Sequence, residues 1–205
     1  MIYLPKLILA SGSPRRAEIL NSVGWEFTKD AADIDESETE GETPEHYVQR
    51  LAREKVEAVA AKYENAIVLG ADTIVVIDNQ IIGKPKDLPD ARRMLKMLSG
   101  KWHEVLTGVA IIRKEEEKRR KGEEEKNPKS LVGIQRTSVK FAEMNDEEIE
   151  FLVEKGEPLD KAGAYAVQAQ AALFIEKIEG DYWNVVGLPV NLVYKLCESI
   201  LKSED

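Results

Sequence analysis

Leu7-Ile8-Leu9-Ala10-Ser11-Gly12-Ser13-Pro14-Arg15-Arg16 sets the architecture of this chain. A short apolar run, as for a buried strand, passes through two serines flanking a glycine and opens a helix continued by Ala17, Ile19 and Leu20. Ser13 suits the N-cap, and Pro14 suits the first helical position, where a missing N–H costs nothing. Two arginines in the first turn oppose the helix dipole, by roughly a few tenths of a kcal/mol each. A strand, a small-residue turn and a helix start form an anion site that Arg15 and Arg16 would clamp. The plainer reading is two surface arginines behind an ordinary cap, and this stretch alone leaves both open.

Outward from it, strands and helices alternate through 205 residues, the length of one α/β domain or of a domain with a small lobe. The net charge of −9 argues against a general binder of nucleic-acid backbones, although a local basic pocket for one small polyanion fits. Cys197 is the single cysteine, which excludes an internal disulfide and a cysteine metal cluster. It falls on the apolar stripe Val193, Leu196, Cys197, Ile200 and reads as a core filler. No stretch approaches the ~18 apolar residues of a membrane helix, so a cytoplasmic, soluble protein is expected.

After a first helix ending near Gly24, Trp25 to Thr28 reads as a short strand. Asp30 to Glu40 contains six acids and defaults to a solvated loop. Asp35 and Glu36 matter only if the fold returns them to the arginines, where a divalent cation would want hard oxygen ligands. Thr43-Pro44-Glu45 starts a helix with the stripe Val48, Leu51, Ala52, Val56, Val59. Lys55 shares that stripe, so its ammonium either snorkels outward or enters a polar cavity. Ala66 to Ala71 is apolar throughout, as for a strand covered on both faces, and runs into Asp72-Thr73 and then Ile74 to Ile77. A carboxylate in such a run must be paired, metal-bound or at a strand break, which makes Asp72 the most suspicious acid in the chain.

Asp78-Asn79-Gln80 reads as a hairpin turn to Ile81-Ile82, followed by Gly83-Lys84-Pro85, a cation between a flexible and a rigid residue. A helix from about Asp90 to Leu98, a strand from Trp102 to Ile112 and another from Leu131 to Phe141 come next. His103 reads as structural; the only other histidine is His46, which excludes a histidine-rich metal site. Between the last two strands, Arg113 to Lys129 holds fourteen charged residues in seventeen and reads as a charged hairpin insertion. Asn145 caps a helix ending near Gly156. The run Ala166-Val167-Gln168-Ala169-Gln170 puts amides among small residues, where a base edge could be read or a plain packing seam formed. Phe174–Ile178 and Asn184–Val186 are expected as a final hairpin, and Pro189 to Lys202 as the last helix.

Seven segments in order resemble the Maf family: Ser11 to Arg16, Leu51-Ala52-Arg53-Glu54-Lys55, Gly70-Ala71-Asp72-Thr73, Gly83-Lys84-Pro85, Leu98-Ser99-Gly100, Asp160-Lys161-Ala162-Gly163-Ala164-Tyr165 and Val185-Val186-Gly187-Leu188-Pro189. The resemblance implies one domain over residues 1–205, with an α/β fold of the inosine-triphosphate-pyrophosphatase type: an elongated mixed sheet flanked by helices, with two lobes around a central cleft. It also implies hydrolysis of a nucleoside triphosphate to monophosphate and pyrophosphate with a divalent cation, Mg²⁺ or Mn²⁺. Ala164-Tyr165 followed by Val167-Gln168 is similar to the branch acting on dTTP, UTP and modified pyrimidine triphosphates, although Ala169 stands where a glycine usually follows the glutamine.

On that resemblance, Ser11, Ser13, Arg15, Arg16, Lys55 and Lys84 hold phosphates, and Asp72 is the proton acceptor or a metal ligand. Glu36 is the second metal candidate, Thr73 and Gln168 read the base, and Arg15 helps set specificity. The expected partners are the nucleotide and a second copy of the chain as a homodimer, with no nucleic-acid polymer and no membrane. A 7-methyl-GTP pyrophosphatase and a nucleotide-binding regulator of septum formation are the alternatives.

Overall fold

The computed structural model describes residues 5–114 and 129–202, so most of the charged insertion lies outside the described residues. The elements are β1 (Leu7–Leu9), α1 (Pro14–Ser22), β2 (Thr28–Lys29), α2 (Pro44–Ala60), β3 (Ala66–Ile77), β4 (Gln80–Ile82), α3 (Leu88–Leu98), β5 (Trp102–Lys114), β6 (Lys129–Phe141), α4 (Asp146–Lys155), β7 (Ile175–Glu179), α5 (Tyr182–Val186) and α6 (Val190–Lys202). The strands form one mixed sheet in the order β2-β1-β3-β5-β6-β7, with β4 on β3. β1 runs parallel to both neighbours, pairing Ile8 with Thr28 and with Val68, whereas β4 and β7 pair antiparallel to β3 and β6.

The chain divides into two compact units, one of residues 1–72, 108–134 and 190–205, the other of 73–107 and 135–189. In the first, the stripe of α2 is fully buried at Val48, Leu51, Ala52, Val56 and Val59, and the last three pack with Ile8, Val68, Ala110 and Ile112. Thr43 caps this helix by accepting from the His46 N–H at 3.3 Å. Two glycines let α2 approach the strands. A Cβ at Gly70 would stand 2.7 Å from Val56 Cγ1 and 3.0 Å from the Ala52 carbonyl oxygen, and one at Gly108 only 2.2 Å from the Val48 carbonyl oxygen. Cys197 is fully buried on α6, and burial pushes its thiol up to about 12, as expected of a core filler.

In the second unit, Met94, Leu95 and Leu98 of α3 pack with Phe141, Ile149, Leu152 and Tyr165. Asp78 and Asn79 take φ of 50° and 60°, the two left-handed positions that a tight hairpin between β3 and β4 requires. Asn145 and Glu148 form a reciprocal capping box on α4. His103 packs edge-on to Phe141 and Tyr165, and its Nε2 lies 2.8 Å from the Tyr165 hydroxyl. Burial lowers it from 6.5 to about 4, so it sits neutral in the core, the structural role its sequence context suggested.

Four expectations are corrected. The strand expected at Trp25–Thr28 is the two-residue β2, at Thr28–Lys29. Asp72 does not mark a strand break, one of the readings open for it, since β3 runs unbroken from Ala66 to Ile77. α3 begins at Leu88, because Asp87 caps it through the Asp90 N–H at 2.8 Å. The final hairpin is absent among the described residues: Asn184–Val186 belongs to α5, and β7 pairs with β6 instead. Asp181 caps α5 through the Trp183 N–H at 2.8 Å, and the Asn184 amide donates to the Val105 carbonyl at 2.9 Å and to Thr137 Oγ1 at 3.0 Å. Those tertiary bonds outweigh the strand preference of two valines. No helix among the described residues is long and apolar enough to cross a membrane.

Replacing Gly108 by alanine forces α2 off the sheet, because the new methyl meets backbone. A loss of at least about 2 kcal/mol is expected, a Tm drop of roughly 4 °C or more by calorimetry; an unchanged Tm would show that the close approach is not required. His103 gives a second expectation. Its depressed folded pKa means that stability is intact above pH 6.5 and is lost as pH falls towards 4, by about 2 kcal/mol at pH 5. Urea unfolding at pH 7 and pH 5 reads this as a larger acid-side loss in wild type than in His103→Phe.

Candidate active site

The first unit gathers the phosphate candidates other than Lys84. Ser11, at the end of β1, is buried, and its Oγ accepts two bonds, from the Ser13 N–H at 3.2 Å and from Arg16 at 3.0 Å. Both lone pairs are then engaged, so the hydroxyl can meet a ligand only as a donor, which suits a phosphate oxygen. Ser13 precedes α1 with φ −65° and ψ 120° but makes no capping bond from its side chain, contrary to the expected cap; its hydroxyl is not spent on the helix. No acid stands in the first turn of α1. Arg16 is buried, and desolvation lowers it from the usual arginine value, the Asp72 carboxylate opposing that shift, Arg15 adding to it and Glu36 opposing it again. The field around Arg16 is thus built from one cation and two anions.

Lys55 does not snorkel. Its Nζ lies 2.6 Å from Asp72 Oδ1 and 2.7 Å from Glu36 Oε1, so one ammonium bridges an acid from mid-β3 and an acid from the loop before α2. The Lys55 and Asp72 side chains are only 10% and 11% exposed, whereas Glu36 is 47% exposed and marks the side open to solvent. Asp72 is thus paired, one of the three possibilities for it. Asp35, the acid next to Glu36 in the chain, turns away: its Oδ1 accepts from the Ser37 N–H at 2.9 Å and hydroxyl at 2.6 Å.

Two residues that the sequence did not single out hold the acidic loop. Tyr47 donates its hydroxyl to the Glu36 carbonyl at 2.7 Å, and burial, reinforced by Asp72, Glu36 and Glu38, pushes its pKa up to about 12. Arg50 clamps Glu42 through two bonds of 2.8 and 2.7 Å and reaches the Ser37 carbonyl at 3.0 Å. Both lie in the first half of α2, and their only sequence signal was an aromatic and an arginine flanking a buried stripe. Among the described residues no group of three or more His, Cys, Asp or Glu could hold a metal ion by itself. Glu36 and Asp72 supply two hard carboxylates, which suits Mg²⁺ or Mn²⁺ when phosphate oxygens and water complete the shell.

The second unit carries the other candidates. Thr73 is half-buried, its Oγ1 2.9 Å from Thr107 Oγ1 and 3.4 Å from the Gly187 carbonyl. Lys84 is exposed in the loop after β4, where the Gly83 carbonyl accepts from the Gly163 N–H at 3.1 Å. Gln168 is exposed in a turn. Ala169 has φ −121° and ψ −153°, extended backbone, so no glycine is needed there.

The sequence pattern of the family described as Maf-like protein matches residues 6–200. A Symbiobacterium thermophilum protein named dTTP/UTP pyrophosphatase is 48% identical over 188 residues, 92% of this chain and 90% of its own length. A Geotalea uraniireducens protein of the same name is 50% identical over 194 residues, 95% of this chain and 91% of its own. Among solved structures, the Staphylococcus aureus Ham1 protein aligns with a TM-score of 0.51 at 15% identity, covering 95% of this chain and 98% of that one, a likeness of fold alone. With that sequence match over nearly its whole described length and the mixed α/β sheet in place, the chain belongs to the Maf family.

Proposed function

We propose that this chain hydrolyses nucleoside triphosphates, dTTP and UTP foremost, to the monophosphate and pyrophosphate. The observation that carries the chemistry is the shared ammonium: Lys55 holds Asp72 Oδ1 beside Arg16 and Ser11. A site that only bound phosphate would gain nothing from a buried carboxylate among cations. The base preference rests on the relatives' names and on the Ala164 to Gln168 segment.

Ser11 donates to a phosphate oxygen, and Ser13, Arg15, Arg16, Lys55 and Lys84 supply donors and positive charge to the rest of the triphosphate. Because Lys55 occupies Oδ1, Asp72 takes the proton of the attacking water at Oδ2. That water attacks the α-phosphorus, the bond from it to the bridging oxygen breaks, and pyrophosphate leaves with that oxygen. In the alternative role Asp72 joins Glu36, and the two would hold a divalent cation, which when bound would neutralise phosphate charge. Thr73 and Gln168 read the base, the exposed amide offering both a donor and an acceptor, and Arg15 contributes to the choice. The reaction belongs in the cytoplasm, in keeping with a lone buried thiol.

Pyrophosphate release from a panel of nucleoside triphosphates with Mg²⁺ or Mn²⁺ is expected to be fastest for dTTP and UTP and to stop on chelation. Release from none of them overturns the hydrolase reading in favour of a regulator, and release confined to 7-methyl-GTP moves the substrate to the other branch. Asp72→Asn keeps the shape of the side chain and leaves Glu36 on Lys55. It should fold normally and lose at least ~10²-fold in kcat, the scale of a general base; full turnover would remove Asp72 from that role.

A further inference from the structure

Lys84 stands in a loop whose backbone is held on both sides of it. On the near side, Ile82 is buried at the end of β4, opposite Val75 of β3, and the Gly83 carbonyl accepts from the Gly163 N–H at 3.1 Å. Gly163 and Ala164 take φ of 68° and 64°, two successive left-handed residues, and alanine adopts that conformation only under strain. A Cβ at Gly163 would stand 2.9 Å from Val75 Cγ2, so this hook lies against β3 itself. Lys161 is buried beside it and donates to Asp160 Oδ1 at 2.6 Å. On the far side Pro85 is buried, and the Lys86 N–H donates to Asp90 Oδ2 at 3.1 Å. The other oxygen, Oδ1, accepts two bonds from Arg93 at 2.9 and 2.7 Å. The Lys86 bond, with those from Arg93 behind it, holds the Asp90 carboxyl below the usual carboxylate range. Between Ile82 and Pro85 only Lys84 is exposed.

We infer that Asp90 is a positioning residue for phosphate binding: through the Lys86 N–H it fixes the loop from the side opposite Gly163, so that Lys84 offers its ammonium from a backbone already ordered. This rests on Lys84 supplying charge to the triphosphate. A lysine on a loose loop must order both backbone and side chain when it clamps an anion, and a tied loop leaves only the side chain to order. The plainer role of an acid in the first turn of α3 is to favour the helix dipole. The two roles separate by sign. Removing an acid near a phosphate site tightens a polyanion by charge alone, whereas releasing the loop weakens it.

The test measures dissociation constants for inorganic tripolyphosphate by calorimetry, with KM and kcat for dTTP, on wild type, Asp90→Ala, Asp90→Asn, Lys84→Met and the pair Asp90→Ala with Lys84→Met. Lys84→Met should weaken tripolyphosphate at least about 10-fold, the scale of a charge-assisted bond. Asp90→Ala should weaken it at least about 5-fold and raise KM for dTTP with kcat nearly unchanged. Asp90→Asn loses the same charge but keeps an acceptor for Lys86, and should bind at least as tightly as wild type. On top of Lys84→Met, Asp90→Ala should cost nothing more, because nothing is left to position. A merely structural Asp90 would leave tripolyphosphate affinity unchanged in Asp90→Ala, or lower it equally with and without Lys84; either result overturns the inference. Full binding by Lys84→Met removes Lys84 from the phosphate site and the inference with it, whereas a loss there without one in Asp90→Ala sinks the inference alone. Absent hydrolysis would sink only the activity reading, since the dissociation constants still decide the tie; no tripolyphosphate binding by wild type sinks both. Should Asp90→Ala not fold, amide exchange in wild type decides: the Lys86 N–H should exchange at least about 10-fold slower than in the unfolded chain, and an unslowed amide overturns the tie.

Discussion

An ammonium buried between two carboxylates is the interaction on which the first unit depends. Taking Lys55 and Asp72 out of water costs several kcal/mol per ion, and only close, well-aligned pairing offsets it. The distances of 2.6 and 2.7 Å supply that pairing. They also demand that α2 lie hard against β3 and β5. Gly70 and Gly108 satisfy the demand, since a side chain at either position would meet the helix. The apolar stripe of α2 provides the burial, and the glycines set its depth. A stability feature and a candidate catalytic feature are here the same packing.

The two units treat buried polarity in opposite ways. In the second, His103 is neutral against Tyr165 and Phe141, and Asn184 spends its amide donors on fixed acceptors, so polar groups serve to orient. In the first, charge is concentrated at one place, with Arg16, Lys55, Asp72 and Glu36 within each other's field. A concentration of that kind stores an unfavourable arrangement that an added polyanion with its counter-cation can complete.

What could be read in advance follows from how local each signal is. Caps and stripes are local: Thr43-Pro44, Asn145 with Glu148, and the α2 stripe stand where the sequence placed them. Lys55 and Asp72 were legible because each was anomalous alone, a cation on an apolar stripe and an anion in an apolar run, and two such anomalies call for each other. α5 was misread because a five-residue helix has too little periodicity to compete with strand-forming valines, and its stability comes from Val105 and Thr137, distant in sequence. Tyr47 and Arg50 carried no anomaly at all; what they do is defined only by the Glu36 carbonyl and the Glu42 carboxylate beside them.

The account stands on Lys55 and Asp72 acting as one unit rather than as two separate contributors. A double-mutant cycle on kcat/KM for dTTP, with Lys55→Met, Asp72→Asn and the pair together, measures this directly. The account predicts strong non-additivity, the double variant losing about as much as the worse single one. Losses that simply multiply would contradict it.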